Sequence, residues 1–365
     1  MKKMRALVLA VGLCLVVVLS ACAPASQPDE AAPADETKAP EEEEEEAEPA
    51  AQEQETITWK FQSNVSSGCL FEAGQWWASE VEAASDGRLK IEMYPAGQLV
   101  KTADFLDALR ENVIQVATTC PPYYKGFMPE AGVLCSFPAA FKEASDQNYI
   151  FYELGYLDLA REAYAEHGAY LYCCPPGGNW SLWATKPLVE KDDFKDLKVR
   201  AVSPMTEMFS SLGASAVYLP HEESYTALQL GTIGGYTTVP SLYIDLKHYE
   251  VCPYIMTPAV QPISVDGYSL SMKALEDLPD DLQTLVKSMA PSLVWKETNL
   301  AEVNDRRVLG MGSELGFEVV PMSDDVVAAM EAATLETMEA YASENTRCAQ
   351  MVEILKGYMT EMGIT

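Results

Sequence analysis

The chain has 365 residues, 48% of them apolar, and carries 55 acids against 25 basic side chains for a net charge of −30. About 310 residues follow an acidic N-terminal stretch, too many for one simple core and enough for two domains. The acidic balance argues against nucleic acid as a partner, and an anion would be held only where positive charge is concentrated locally.

The N-terminus opens with Lys2, Lys3 and Arg5 ahead of an apolar run from Ala6 to Leu19, the pattern of a secretory signal. No later apolar run is long enough to span a bilayer. Leu19-Ser20-Ala21-Cys22 stands where the run stops. This tetrapeptide resembles the lipobox of bacterial lipoproteins. That resemblance implies cleavage of a signal peptide (1–21), lipidation of Cys22 and an extracytoplasmic location on a membrane anchor. Residues 22–55 hold no aromatic or large aliphatic side chain and include the unbroken acidic run Glu41 to Glu46. Such a stretch buries too little apolar surface to offset its ordering entropy, and like charges with proline keep it extended. It is expected to be a disordered spacer.

From Ile57 onward strand-like and helix-like patterns alternate. Ile57 to Phe61 reads as a strand, and Phe71, Gly74, Trp77, Val81 and Ala84 have helical spacing. Leu89, Ile91 and Met93 alternate as a strand that stops at Tyr94-Pro95-Ala96-Gly97. A helix over 103–110, a buried strand over 113–119, and strands at 169–173, 197–201 and 217–219 follow. The C-terminal part from Leu278 is mostly helical. Ser323-Asp324-Asp325 predicts a helix start with serine as the cap. Strands alternating with helices indicate an α/β fold.

Cys69, Cys120, Cys135, Cys173, Cys174, Cys252 and Cys348 remain after processing. They show neither a Cys-x-x-Cys pair nor zinc spacing and read as buried thiols, with Cys120–Cys135 a possible disulfide. Three histidines, no Gly-x-Ser-x-Gly elbow, no His-Glu-x-x-His and no dinucleotide fingerprint leave little to support an enzyme. Gly234-Gly235 lacks the Lys-Ser/Thr continuation of a phosphate loop. No cofactor or metal is expected.

Tyr94-Pro95-Ala96-Gly97-Gln98-Leu99, the strand Phe194-Lys195-Asp196-Leu197-Lys198-Val199-Arg200, Leu212-Gly213-Ala214 and Glu223-Ser224-Tyr225-Thr226-Ala227-Leu228-Gln229 follow one another in order and spacing. Together they resemble the DctP-type solute-binding proteins of tripartite ATP-independent periplasmic (TRAP) transporters, over essentially Thr56 to the C-terminus. The resemblance implies two α/β lobes with a hinged cleft and long C-terminal helices. It places lobe I at 56–177 and 266–305, lobe II at 178–265 and 306–340, and a C-terminal helix at 341–365 packing back on them. It also implies a small organic acid as ligand and TRAP membrane permease subunits as partner.

Within that resemblance Arg200 is the family's carboxylate clamp. A guanidinium at the C-terminal end of a strand can meet a carboxylate with two parallel charge-assisted hydrogen bonds. His221 falls where relatives often place an aromatic residue near the ligand, with a plain helix-start histidine as the alternative. Thr238 takes the position of a polar ligand-contacting asparagine, and Tyr236 lies beside it. The second arginine of many relatives is missing from the stretch Gly177 to Trp183, where Asn179 and Trp180 stand instead. Asn64, Asp104 and Tyr123 are further cleft candidates, and Lys125 is a candidate substitute for the lost charge. One clamp with aromatic neighbours favours a monocarboxylate with an apolar or aromatic body over a short dicarboxylate. A surface-anchored hydrolase and an adhesion or scaffold lipoprotein are the rival readings.

Overall fold

The computed structural model describes residues 56–364 apart from 136, 139 and 220. The expected signal segment, Cys22 and the acidic spacer lie outside the described residues. The chain builds two sheets in turn. Strands β1 (Ile57–Gln62), β2 (Leu89–Tyr94), β3 (Val116–Thr119) and β4 (Ala169–Cys173) come first. The chain then crosses to β5 (Trp180–Ala184), β6 (Lys198–Arg200), β7 (Ser215–Val217), β8 (Gly235–Thr238) and β9 (Tyr254–Gln261). It returns for β10 (Gly267–Ser271) and crosses again for β11 (Glu318–Pro321). The first sheet has the order β2-β1-β3-β10-β4 and the second β11-β9-β5-β8-β6-β7. β1 pairs in parallel with β2 and β3, while β10 runs antiparallel to β3 and β4. In the second sheet β6 pairs in parallel with β7 and β8.

Both faces of each sheet are covered, as an α/β layer requires. In helix α1 (Gly68–Ala84) the residues Leu70, Ala73, Trp77 and Val81 recur at helical spacing and are buried against Trp59, Phe61 and Ile91 of the first sheet. Phe71 and Ala84, also at helical spacing in the sequence, sit half-buried and exposed. A Cβ on Gly74 would come within 2.9 Å of Met93 and 3.0 Å of Phe61, so the absence of a side chain lets α1 approach the sheet closely. The second sheet shows the period of two directly. Leu182 packs with Val199, Phe209 and Met330 on one face, and its neighbour Trp183 stacks on Tyr243 on the other.

Three connections join the sheets. Residues 174–179 and 262–266 cross side by side as an antiparallel pair: Gly177 N–H donates to Ser264 O at 3.0 Å, and Ser264 N–H to Gly178 O at 2.8 Å. Of the remaining long helices, α2 (His221–Gln229) precedes β8 and α3 (Ala290–Gly310) makes the third connection. Helices α4 (Asp324–Ala342) and α5 (Thr346–Glu361) close the chain, with Met351, Val352 and Leu355 of α5 buried in the core beside Phe151 and Tyr156.

The structure departs from the sequence reading in detail. The strand expected over 113–119 is regular only at Val116–Thr119, because the Val113 and Ile114 N–H groups bond back to Ala108 O at the end of the preceding helix, and only from Gln115, whose N–H reaches Lys60 O of β1, does the chain join the sheet. Ser323 does stand at the cap of α4, but its buried hydroxyl makes no cap bond. The seven described cysteines are buried free thiols, with Cys120 and Cys135 in hydrogen-bond contact and not disulfide-bonded. No described helix is long and apolar enough to cross a membrane.

Candidate functional site

Where the two crossing segments meet the sheets lies a narrow cleft. The first sheet contributes Asn64 after β1, the start of α1 and Cys120 and Tyr123 after β3; the second contributes Trp180, His221, Thr238 and Ser241; the crossing segments contribute Gly177 and Asp266. Strand C-terminal ends converge here, the usual location of ligand sites in open α/β sheets.

Arg200, the last residue of β6, has no solvent exposure. Its Nε–H donates to Leu219 O at 2.9 Å, one terminal nitrogen donates to Thr237 O at 3.0 Å, and the other lies 3.3 Å from His221 Nε2. The guanidinium also faces the Tyr236 ring at 5.6 Å. None of these partners carries a negative charge. Five N–H groups are available and three are engaged, so one donor remains on each terminal nitrogen. Arg200 does not itself line the cleft. His221, which does, carries the contact between the guanidinium and the cavity wall.

The protonation of His221 follows from its neighbours. Burial first, then the Arg200 charge, hold its pKa well below the ordinary value, so the ring is neutral. A guanidinium only donates, so Nε2 accepts and the proton sits on Nδ1, which donates to the Tyr236 hydroxyl at 2.5 Å. His248, whose pKa burial lowers to about 4, stacks on the Tyr236 ring at 4.4 Å. The imidazole of His221 is thus locked from two sides with its face to the cleft.

Thr238 ends β8 and is 1% exposed; its Oγ1 lies near the Tyr236 hydroxyl but makes no well-formed hydrogen bond. Asn64 accepts from Thr118 Oγ1 at 2.9 Å. Tyr123 packs edge-on against Tyr218 at 5.3 Å. Trp180 is buried at the cleft wall.

Five of the residues singled out in the sequence therefore line one cavity: Asn64, Tyr123, Trp180, His221 and Thr238. Arg200 and Tyr236 stand directly behind His221. Asn179 lies in the crossing segment, where its backbone N–H donates to Asp305 at 2.8 Å. Asp104 caps a helix on the exposed surface, away from the cavity lining. Lys125 pairs with Glu207 at 2.9 Å and does not line the cleft.

The sequence reading missed Cys69, Ser241 and Asp266. Cys69 donates to Ser241 Oγ across the cleft wall, and burial raises its thiol to about 11, leaving it an unreactive packing group. Asp266 carried one signal that went unused, an acid directly ahead of the buried strand Gly267–Ser271.

The sequence profile described as "Bacterial extracellular solute-binding protein, family 7" (DctP) matches residues 64–345. A solute-binding protein of Albidiferax ferrireducens is 25% identical over 286 residues, covering 76% of this chain and 83% of its own. The monocarboxylate 2-oxoacid-binding periplasmic protein of Nostoc sp. is 25% identical over 295 residues, covering 78% and 79%. Among solved structures, a TRAP periplasmic solute-binding protein of Pseudoalteromonas atlantica with bound sodium and pyruvate superimposes with a TM-score of 0.78 at 24% identity, over 84% of this chain and 95% of that one. The profile match spans the second sheet, the first sheet apart from β1, and every cleft-lining residue, and on that ground the chain belongs to the DctP family of bacterial extracellular solute-binding proteins, the binding components of TRAP transporters.

Proposed function

We propose that the protein captures a small organic acid in this cleft, performs no chemistry on it, and hands it to a TRAP membrane permease while held outside the membrane by lipid on Cys22. One observation carries the reading. Arg200 is a fully buried charge whose partners among the described residues are two carbonyls, a neutral imidazole and an aromatic ring. A buried charge without a counter-ion is costly, and the ligand carboxylate is the counter-ion that relieves it. His221, Thr238 and Asn64 supply neutral polar contacts, and Tyr123 and Trp180 supply flat apolar surface. This arrangement has one cationic centre, so it favours one carboxylate on an apolar body over a short dicarboxylate. Carboxylate ligands in relatives support the class, as the Nostoc protein and the pyruvate-bound structure illustrate. The hydrolase and scaffold alternatives find no such support in family membership.

Thermal-shift screening against monocarboxylic, dicarboxylic, keto, aromatic and sugar acids tests this. A ligand at a hundredfold excess over Kd adds about 2.7 kcal/mol to stability. At least one acid class is expected to raise Tm with no turnover, and succinate is expected to lose in competition with a branched or aromatic monocarboxylate. A panel without any shift would remove the organic-acid reading.

A further inference from the structure

The cleft holds a second uncompensated charge, of the opposite sign. Asp266 lines the same cavity as His221 and Thr238 and sits on the crossing segment, where its backbone N–H donates to Pro175 O. Its carboxyl contacts the buried Glu297 carboxyl, which also accepts from the Tyr268 hydroxyl at 2.6 Å. Burial holds the Glu297 pKa well above the carboxylate range, with the Asp266 charge adding to it, so Glu297 keeps its proton and donates it to Asp266. Burial lifts Asp266 only to about 6, leaving it mostly ionised at neutral pH. No lysine or arginine lines the cavity among the described residues.

The surroundings of Asp266 are shaped for a ligand donor. Its Oδ2 and the Ser264 hydroxyl both crowd the open side of Gly177: a Cβ there would stand 2.1 Å from the former and 2.6 Å from the latter. Ser264 is 2% exposed and its hydroxyl has no hydrogen-bond partner among the described residues. Ser264 stands beside Asp266 and behind the cavity lining, whereas Thr238 Oγ1, equally buried and also without a well-formed bond, belongs to the lining itself. The cavity thus has Asp266 on one wall and His221 with the spare Thr238 hydroxyl on the other, and Arg200 stands behind His221 with no acidic partner among the described residues.

We propose that the ligand is zwitterionic: an amino acid or similar compound whose carboxylate faces Arg200 and whose ammonium or N–H group faces Asp266 and Ser264. The inference rests on the organic-acid reading above and narrows it. A charge-assisted N⁺–H···O⁻ bond forms at the half-buried Asp266, and the carboxylate end of the ligand answers the buried Arg200 charge. The same Asp266 repels a second carboxylate. Because Asp266 lies on the crossing segment, the ammonium contact also ties ligand occupancy to the connection between the sheets.

Calorimetric titration with amino acids, each beside its desamino and 2-oxo counterparts (leucine with 4-methylpentanoate and 4-methyl-2-oxopentanoate; proline with cyclopentanecarboxylate), tests it. The amino member is expected to bind at least about tenfold more tightly. Asp266→Asn, which keeps the size and an acceptor for the Glu297 proton, is expected to erase that preference, read as the ratio of the amino and desamino affinities within the variant. Equal or tighter binding of the desamino or oxo acid to the wild-type protein, with or without added sodium or calcium, would overturn the inference even if Asp266→Asn failed to fold. A preference that survives Asp266→Asn would overturn it as well. Desamino acids that bind in an Arg200-dependent way, with no gain from the amine, would leave the organic-acid reading standing alone. Failure of every acid to bind would remove both.

Discussion

Arg200 holds the local structure and is the residue on which the proposed binding rests. Its Nε and one terminal nitrogen hold the carbonyls of Leu219 and Thr237, joining β6 to β8 and to the segment before α2. The two remaining donors are the ones a carboxylate would use. Arg200→Ala is expected to cost about 2–5 kcal/mol of binding, a loss of tens to thousands of fold measured by calorimetry. It also strands two buried carbonyls, so Tm should fall by several degrees while the circular dichroism spectrum is retained. Arg200→Lys is expected to recover stability more than affinity, because an ammonium cannot reproduce the planar fork. A second residue-scale expectation concerns Gly177. Gly177→Ala would push a methyl group into Asp266 and Ser264 and is expected to destabilise by about 1–3 kcal/mol, read as a drop in Tm together with weaker ligand binding. An unchanged melt would mean that the carboxylate has room to move aside.

At the scale of elements, the connection between the sheets depends on buried acids. Asp305 of α3 accepts the Asn179 N–H, stands over Gly178, and is raised to about 7, by burial first and by the neighbouring Glu302 charge more weakly. A carboxyl whose folded pKa exceeds its unfolded value binds more protons when folded, so stability falls as pH rises toward the folded value. His221 and His248 work the other way up to about pH 7.5, because an unfolded histidine is still half protonated at about pH 6.5. Glu297, raised by burial, acts in the same direction as Asp305. Asp305→Asn is therefore expected to lose stability less steeply than the wild type from pH 6.5 to 8, by about 1 kcal/mol over the interval. Parallel pH dependences of Tm in the two proteins would contradict the assignment.

Elements of this kind were only partly visible in the sequence. The apolar spacing of α1, the Tyr94-Pro95 stop and the strand before Arg200 could be read, because hydrophobic period and turn residues act locally. The trimming of β3, the uncapped Ser323 and the role of Asp266 depended on what packs against them from distant parts of the chain. Asp104 shows the opposite error: a polar residue beside a recognisable turn, exposed on the surface. Asn64, Tyr123, Trp180, His221 and Thr238 could be singled out through family resemblance, whereas a lone acid before a strand has no local pattern that separates a ligand contact from a solvated charge.

The whole molecule is strongly acidic, yet the buried Arg200 guanidinium has no acidic partner among the described side chains. That arrangement suits an incoming anion. The two sheets, joined by paired crossing segments and α3, form the two-lobed frame of the family, and the cleft lies where a change in the lobes' separation would open or close it. The direct test of this account is a calorimetric titration of an acid selected by thermal shift into wild-type protein and into Arg200→Ala. The account predicts saturable one-to-one binding to the wild type and a loss of at least about tenfold in the variant. Equal affinity in the two proteins would contradict it.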